Sequence, residues 1–143
     1  MPKPDPALLD PAHYPWRHAI TTRFSDVDPN QHLNNVAIAA MFEDARVRFN
    51  GVLGFRDTME HRRAMVASVG IEYLAQGYYP DPVEALAACE TAGRSSWSIV
   101  QLLTQGGRNV GFARTIVVCI DGDSPCPIPA AFRTNLECWG LTR

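Results

Sequence analysis

The spacing of hydrophobic residues changes along the chain from a helical period to a strand period. After Asn34 and Asn35, which both suit a helix N-cap, apolar side chains recur every three or four residues as far as Gly51 and Gly54. This spacing predicts one long helix of about 16 residues, or about 24 Å. Because its first half is apolar nearly all round and its charges come later, we expect a buried start and an exposed end. The positions that set the period are Ile38, Met41, Phe42, Ala45 and Phe49.

Strand patterns lie on both sides of this helix. Residues 17–24 predict a short first strand, and residues 65–75 alternate apolar and polar positions as a half-buried strand does. Residues 110–120 are apolar on both parities, which is typical of a strand in the middle of a sheet. Turn residues such as Gly106 and Gly107 separate the strands. The remaining predicted elements are strands at 83–91 and 95–104 and a short closing helix at 130–137.

This order of elements predicts an α+β fold, in which an antiparallel sheet of about five to six strands wraps around one long central α-helix. Such a sheet leaves an edge strand unpaired, so we expect self-association as a homodimer or homotetramer. The 143 residues suit a single domain over residues 17–143. Residues 1–16 carry five prolines and predict an extended N-terminal arm.

Composition excludes several classes of function. The net charge of −2 and the scattered basic residues argue against a nucleic-acid partner. No segment has the length and hydropathy of a membrane span or a signal peptide, so we expect a cytoplasmic protein without membrane contact. The four cysteines form no CxxC pair, and we predict no metal site, no redox motif and no disulfides.

The densest polar segment, residues 26–35, lies between the first strand and the helix. It holds two carboxylates, four amides and an imidazole, more than one helix cap needs. The N–H groups of a helix start can stabilise an oxyanion on a carbonyl substrate. An aspartate is ionised at neutral pH, so Asp28 could attack a thioester or take a proton from water.

The ordered string of residues in this segment resembles the hotdog-fold acyl-CoA thioesterases, in the branch that includes bacterial 4-hydroxybenzoyl-CoA thioesterase. The family reads roughly R-x-x-D-x-D-x-x-G-H-V-N-N, followed by E-x-A-R on the helix. In this chain the string is Arg23-Phe24-Ser25-Asp26-Val27-Asp28, then His32-Leu33-Asn34-Asn35, then Glu43-Asp44-Ala45-Arg46. The resemblance implies a hotdog fold and hydrolysis of a fatty or aromatic acyl-CoA, with no cofactor beyond the CoA of the substrate.

The resemblance also implies roles for individual residues. Asp28 matches the catalytic carboxylate, and Asn35 matches the helix-start N–H that faces the thioester carbonyl. His32 would orient the loop or the water, and Asp26 would hold the loop. The implied substrate-binding residues are Asn34 and the turn Arg94, Ser95 and Ser96, where an arginine suits a phosphate of CoA.

Two positions qualify this assignment. Gln31 stands where the family usually has glycine, so a left-handed backbone there would strain it by about 1 kcal/mol and alter substrate preference. Glu43 is a second candidate for the catalytic carboxylate, because some hotdog thioesterases use a carboxylate on the helix. We rank it below Asp28, since Arg46 and Arg48 predict an exposed ion-pairing face around it.

Two other functions fit the same fold. A hotdog enoyl-CoA hydratase would use an Asp and His pair in a D-x-N-P-x-H arrangement, from which Asp28-Pro29-Asn30-Gln31-His32 departs in order and spacing. A non-catalytic acyl-CoA-binding protein is the third possibility, because a fold does not determine an activity.

Overall fold

The computed structural model describes residues 3–142 and shows an antiparallel sheet curled around a long helix. The helices are α1 at Asn35–Val52, α2 at Phe55–Thr58 and α3 at Ala130–Cys138. The strands are β1 at Trp16–Ile20, β2 at Arg63–Tyr73, β3 at Val83–Ala92, β4 at Ser96–Gln105, β5 at Arg108–Asp121 and β6 at Ser124–Pro125. The predicted order of one strand, one long helix, a series of strands and a closing helix is confirmed.

The strands pair in the order β1-β3-β4-β5-β2, and β6 adds a short pairing to β5. Every pairing is antiparallel. Gly106 and Gly107 both have positive φ angles, 57° and 77°, and form the β4–β5 hairpin expected from the sequence. The predicted central position of the 110–120 strand is also confirmed, since β5 lies between β4 and β2.

Helix α1 lies across β1, β3 and β4 and buries the apolar stripe that predicted it. Phe42 rests against Gly111 of β5, where an added Cβ would come within 3.2 Å of the phenyl ring. The predicted burial gradient along α1 is wrong. Val36 at its start is 80% exposed, whereas Phe49 near its end is fully buried. The inner face of the end is buried because Phe49 packs with Phe132 and Leu136 of α3.

Strand β2 is the free edge of the sheet, and its predicted half-buried face is exposed in the single chain. A bulge between Val66 and Ser68 switches the parity of the strand, so the alternation read from the sequence does not follow one face. Residues opposite each other share a face, and Val66 and Val69 lie opposite the buried Val117 and Thr115. Val66, Val69 and Tyr73 nevertheless remain 43%, 49% and 46% exposed.

The N-terminal arm packs on the outer face of the sheet. It forms two short 3-10 turns at Pro6–Leu9 and Pro11–His13 where an extended segment was expected. Proline favours the start of such turns, because its φ is already close to the helical value. Leu8 and Tyr14 are buried against Leu86, Val100 and Phe112. Met1 and Pro2 lie outside the described residues.

Candidate active site

The loop that precedes α1 is held at both ends by Asp26. Its carboxylate accepts hydrogen bonds from the Arg23 backbone N–H at 2.9 Å and from Arg23 Nη2 at 3.1 Å. Its carbonyl oxygen accepts the N–H of Asn34 at 2.8 Å. A 3-10 turn occupies Phe24–Asp26 between them, so β1 ends at Ile20 and not at residue 24 as predicted. Asp26 is only 4% exposed, which fits the loop-holding role expected of it.

Asp28 sits in a tight turn that binds one of its carboxylate oxygens and leaves the other free. Oδ1 accepts the backbone N–H groups of Asn30 at 2.9 Å and His32 at 3.1 Å. The Asp28 N–H donates to the His32 carbonyl at 2.9 Å. Within residues 3–142, no hydrogen bond reaches Asp28 Oδ2. The carboxylate is therefore oriented by the loop while one oxygen stays available to a ligand.

Gln31 has a left-handed backbone with a φ of 64°. The turn therefore needs the conformation that a glycine supplies at lowest cost, as the family pattern suggested. A non-glycine residue in this region carries a strain of about 1 kcal/mol.

The start of α1 presents unpaired N–H groups beside Asp28. Asn34 is the N-cap, and its Oδ1 accepts the N–H of Ala37 at 2.7 Å while its carbonyl accepts that of Ile38 at 3.0 Å. In the described part of the chain, no hydrogen bond uses the N–H of Asn35 or Val36. These are the orphan donors of a helix start, where the helix dipole favours negative charge.

A groove of about 490 Å³ joins these groups. Asp28 and the first residues of α1 line it together, so the residues that carry the free carboxylate oxygen and the free N–H groups border the same space. The lining residues are Arg23, Ser25, Asp26, Asp28, Asn34, Asn35, Val36, Ala37 and Ala40.

Asp28 also borders an aromatic pocket of about 340 Å³, lined by Phe24, Val27, Gln31 and Tyr79. The rings of Phe24 and Tyr79 meet edge to face with centroids 6.0 Å apart. Phe24 is 79% exposed, an unusual state for a phenylalanine. Our sequence reasoning missed this pair. The signal available was a phenylalanine within the polar string and the Tyr78-Tyr79 doublet before Pro80.

The other predicted site residues are divided between the two ends of the sheet. His32 lies in the Asp28 loop, but its ring packs edge to face on Tyr78, with centroids 5.4 Å apart. Arg94, Ser95 and Ser96 form the β3–β4 turn, at the far end of the ten-residue strand β3. That strand spans about 30 Å, so one chain does not bring the turn to Asp28.

Glu43 is exposed on α1, and its closest cation is Arg46 at 3.7 Å. The prediction of an exposed ion-pairing face around Glu43 is correct for Arg48 and wrong for Arg46. Arg48 is exposed and pairs with Asp44 at 2.9 Å, whereas Arg46 is 8% exposed. Burial lowers the pKa of the Arg46 guanidinium, and the Glu43 carboxylate raises it. Arg46 is thus a largely buried cation with one long ion pair.

Comparison with known proteins identifies the family. A model of the thioesterase-like superfamily matches residues 22–136, most of the chain. The chain belongs to the thioesterase-like superfamily. The curled sheet around a central helix is the hotdog fold that the resemblance implied, while membership of the 4-hydroxybenzoyl-CoA thioesterase branch stays a prediction.

Solved structures agree with this family. A thioesterase from Thermus thermophilus, crystallised with coenzyme A and Zn, is 27% identical with a TM-score of 0.78, covering 89% of this chain and 95% of its own. A protein from Pseudomonas aeruginosa is 24% identical with a TM-score of 0.81, covering 92% and 96%. A predicted thioesterase from Bacillus stearothermophilus is 24% identical with a TM-score of 0.80, covering 90% and 98%. No protein with a curated description matches the sequence significantly.

No helix within residues 3–142 is long and apolar enough to span a membrane. In the same range, no three His, Cys, Asp or Glu side chains cluster as metal ligands would.

Proposed function

We propose that the protein is an acyl-CoA thioesterase that hydrolyses a fatty or aromatic acyl-CoA to the free acid and CoA. The observation that carries this proposal is the shared groove, in which the free oxygen of Asp28 and the free N–H groups of Asn35 and Val36 face one space. For a thioester in this groove, the N–H groups can donate to the carbonyl oxygen. The Asp28 carboxylate can attack the carbonyl carbon or activate a water molecule. The superfamily and the thioesterase from Thermus thermophilus support hydrolysis of a thioester.

Asp28 can act in this hydrolysis in either of two roles. As general base, Asp28 takes a proton from water, the hydroxide attacks the carbonyl carbon, and the oxyanion forms against the N–H groups of Asn35 and Val36. The C–S bond then breaks, and the proton passes to the CoA thiolate. As nucleophile, Asp28 Oδ2 forms a mixed anhydride, CoA leaves, and water hydrolyses the anhydride.

A single turnover in 18O-labelled water separates the two roles. A nucleophilic Asp28 acquires 18O when water attacks the anhydride at the aspartyl carbon. A general base never does, although water attack on the acyl carbon of the anhydride also leaves Asp28 unlabelled. Trapping of the anhydride with hydroxylamine, which would convert Asp28 to its hydroxamate, detects the nucleophilic route in that case.

The aromatic pocket beside Asp28 supports contact with the apolar acyl group. Phe24 and Tyr79 offer ring surface to a phenyl ring or an alkyl chain, and Gln31 lines the same pocket. A release assay across short, long and aromatic acyl-CoA substrates would define the preference. A substrate with a larger ring should have a higher kcat/KM because of this pocket, and Phe24→Ala should reduce that advantage in kcat/KM.

We further propose that two chains complete each site, as a homodimer or within a homotetramer. The free edge β2 exposes apolar side chains, and its Tyr73 end lies at the Asp28 end, where the Tyr73 hydroxyl donates to the Asn35 carbonyl at 3.2 Å. Antiparallel pairing of two β2 edges reverses the second chain. The Arg94–Ser96 turn of the partner would then approach Asp28, where its arginine could meet a CoA phosphate. The Thermus thermophilus thioesterase with bound coenzyme A supports this class of ligand.

This mechanism assigns no step to a metal or a redox cofactor. We expect exhaustive dialysis against a chelator to leave kcat unchanged. A loss of activity that zinc restores would require a different mechanism.

The decisive test replaces Asp28 with asparagine. The amide oxygen can still accept the two N–H groups that hold the turn, so the loop should persist while the negative charge is lost. Removal of a general base costs about 100-fold to 10,000-fold in rate. Asp123→Asn, in the exposed β5–β6 turn, is the matched control.

Retained hydrolysis in Asp28→Asn would remove Asp28 from the mechanism, and loss in Glu43→Gln would transfer the role to α1. Loss of enoyl absorbance without thiol release would indicate a hydratase. Within the described residues no hydrogen bond joins the His32 ring to Asp28, which disfavours that reaction. Tight binding of every acyl-CoA without turnover would indicate a binding protein.

A further inference from the structure

Two of the four thiols meet at the turn that follows β5. Cys119 lies on β5, and Cys126 follows β6, so seven positions separate them in the sequence. Their Sγ atoms are 3.1 Å apart. The prediction of no redox motif came from spacing and that of no disulfides from an expected reducing compartment, and neither included the hairpin that brings these two together. Both are free cysteines in the structure.

The backbone brings the two residues together just beyond the last paired position of β5 and β6. Asp121 pairs with Ser124 and Ile120 with Pro125, so the next positions in register are Cys119 and Cys126. The Cys126 N–H donates to the Cys119 carbonyl at 2.9 Å. Opposite residues of antiparallel strands have Cα atoms about 4.5–5.5 Å apart, within the range of about 4.4–6.8 Å that a disulfide spans. A bond between them needs little movement of the main chain.

The two sulfurs have different surroundings. Cys119 is fully buried, whereas Cys126 is partly exposed. Burial, together with the hydrogen bond between Cys119 and Cys126, raises the pKa of Cys119 to about 12, and the charge of Arg62 acts in the opposite direction. The Nε of Arg62 is buried with no hydrogen-bond partner in the described part of the chain. Cys126 is therefore the sulfur that a reagent reaches first, and Cys119 stays protonated behind it.

We propose that Cys119 and Cys126 are a modification site, a dithiol that a hydroperoxide or a small disulfide such as oxidised glutathione converts to an intrachain disulfide. With a hydroperoxide, the Cys126 thiolate attacks the peroxide oxygen and becomes a sulfenic acid, with release of water or an alcohol. The Cys119 thiol then displaces the sulfenic oxygen as water, and the S–S bond forms. Two thiols are oxidised and one peroxide bond is reduced.

The disulfide would tie together segments at the far end of the sheet. Cys119 N–H donates to the Ser95 carbonyl at 2.7 Å, and Ile128 N–H donates to the Arg94 carbonyl at 2.9 Å. A bond between Cys119 and Cys126 would therefore restrict the chain on both sides of the Arg94–Ser95 turn. We expect the oxidised protein to unfold at a higher temperature than the reduced protein, and dithiothreitol to reverse the shift.

The test oxidises the full chain in its native state with hydrogen peroxide or oxidised glutathione. Remaining thiols are alkylated, and intact mass and peptide mapping follow. Wild type should lose two hydrogens and keep two alkylatable thiols after denaturation, with one linked peptide pair containing Cys119 and Cys126. Cys138→Ser, at an exposed cysteine away from the pair, should form the same linkage and is the matched control.

Cys126→Ser should abolish the linkage. The mapping of wild type decides the question even if Cys126→Ser fails to fold. Four alkylatable thiols after treatment would overturn the proposal. So would a bond between Cys89 and Cys138, a bond between two chains, or a persistent sulfenic or sulfinic acid at Cys126.

Discussion

The two ends of the sheet use their polar groups differently. At the Asp28 end, a carboxylate oxygen and two helix-start N–H groups are left unpaired around one groove. At the Arg94 end, main-chain carbonyls of the turn are occupied: those of Arg94 and Ser95 accept from Ile128 and Cys119. Unpaired groups cost stability unless a ligand or water satisfies them, so the first end is the one that offers free groups to a ligand.

Because the carbonyls of its turn are occupied, we expect the Arg94 end to contact a ligand through the Arg94 side chain. Arg94 is exposed, and Arg133 Nη2 secures the turn by donating to the carbonyl of Gly93. A rigid turn with a mobile cation suits recognition of a phosphate on a ligand that reaches it from another chain. The two ends would then form one site across the β2 edge.

Among variants that test this comparison of the two ends, the largest effect should come from separating the two chains at the β2 edge. Val69→Lys places a charge on the exposed apolar face of β2, and two copies would bring like charges together across the axis. We expect a monomer by light scattering and a loss of kcat/KM on the order of 100-fold, because the site loses its second half.

Ala19→Lys, at an exposed position of the opposite edge strand β1, is the matched control and should leave the oligomer and the rate unchanged. A Val69→Lys protein that stays dimeric would show that β2 is not the interface. A monomer with full activity would show that one chain holds the whole site.

A smaller effect should follow from Arg94→Ala. If the arginine of the partner binds a CoA phosphate, KM should rise about tenfold with kcat nearly unchanged, since a charge-assisted hydrogen bond contributes about 1.5–3 kcal/mol. Steady-state kinetics with acyl-CoA and with the matching acyl-pantetheine, which lacks the nucleotide phosphates, would check this. With the acyl-pantetheine as substrate, the variant and wild type should have the same KM. An equal loss on both substrates would assign Arg94 to the stability of the turn.

A third effect concerns the cap of α1 at the reactive end. Asn34→Ala frees the N–H of Ala37 and should lower the free energy of unfolding by about 1 kcal/mol. Because the same cap aims the Asn35 and Val36 N–H groups, kcat should fall as well. Denaturant unfolding and kinetics measure the two effects, and Asn34→Asp, which keeps the cap acceptor, should restore most of both. A kcat that is unchanged in Asn34→Ala would weaken the oxyanion role of the helix start.

Periodicity and turn residues predicted most of the fold because both are local. The N-cap at Asn34, the hairpin at Gly106 and Gly107 and the closing helix were all readable within a few residues. The bulge near Val66 was not, because the alternation of β2 continues through it and only the pairing with β5 reveals the extra residue. The burial of Arg46 and the meeting of Cys119 with Cys126 likewise depend on contacts distant in the sequence.

The candidate site was predictable in its polar half. The excess of carboxylates and amides before α1 marked Asp28 and its loop, and the family resemblance added the roles. The aromatic half was not found, since Phe24 and Tyr79 come together only when the chain returns after β2. The distance of Arg94 from Asp28 could not be predicted from the sequence either, because it follows from the antiparallel pairing of β1 with β3.

The smallest effect concerns two residues with a strained backbone, Gln31 at the Asp28 end and Glu60 at the Arg94 end. Gln31 and Glu60 both have left-handed φ angles, 64° and 56°. Gln31→Gly and Glu60→Gly should each raise the free energy of unfolding by about 0.5–1 kcal/mol, as glycine adopts this conformation without strain. Only Gln31 lines the aromatic pocket, so only Gln31→Gly should shift the ratio of kcat/KM between aromatic and long-chain acyl-CoA substrates. Equal shifts in both variants would mean that substrate preference follows overall stability and not the width of the pocket.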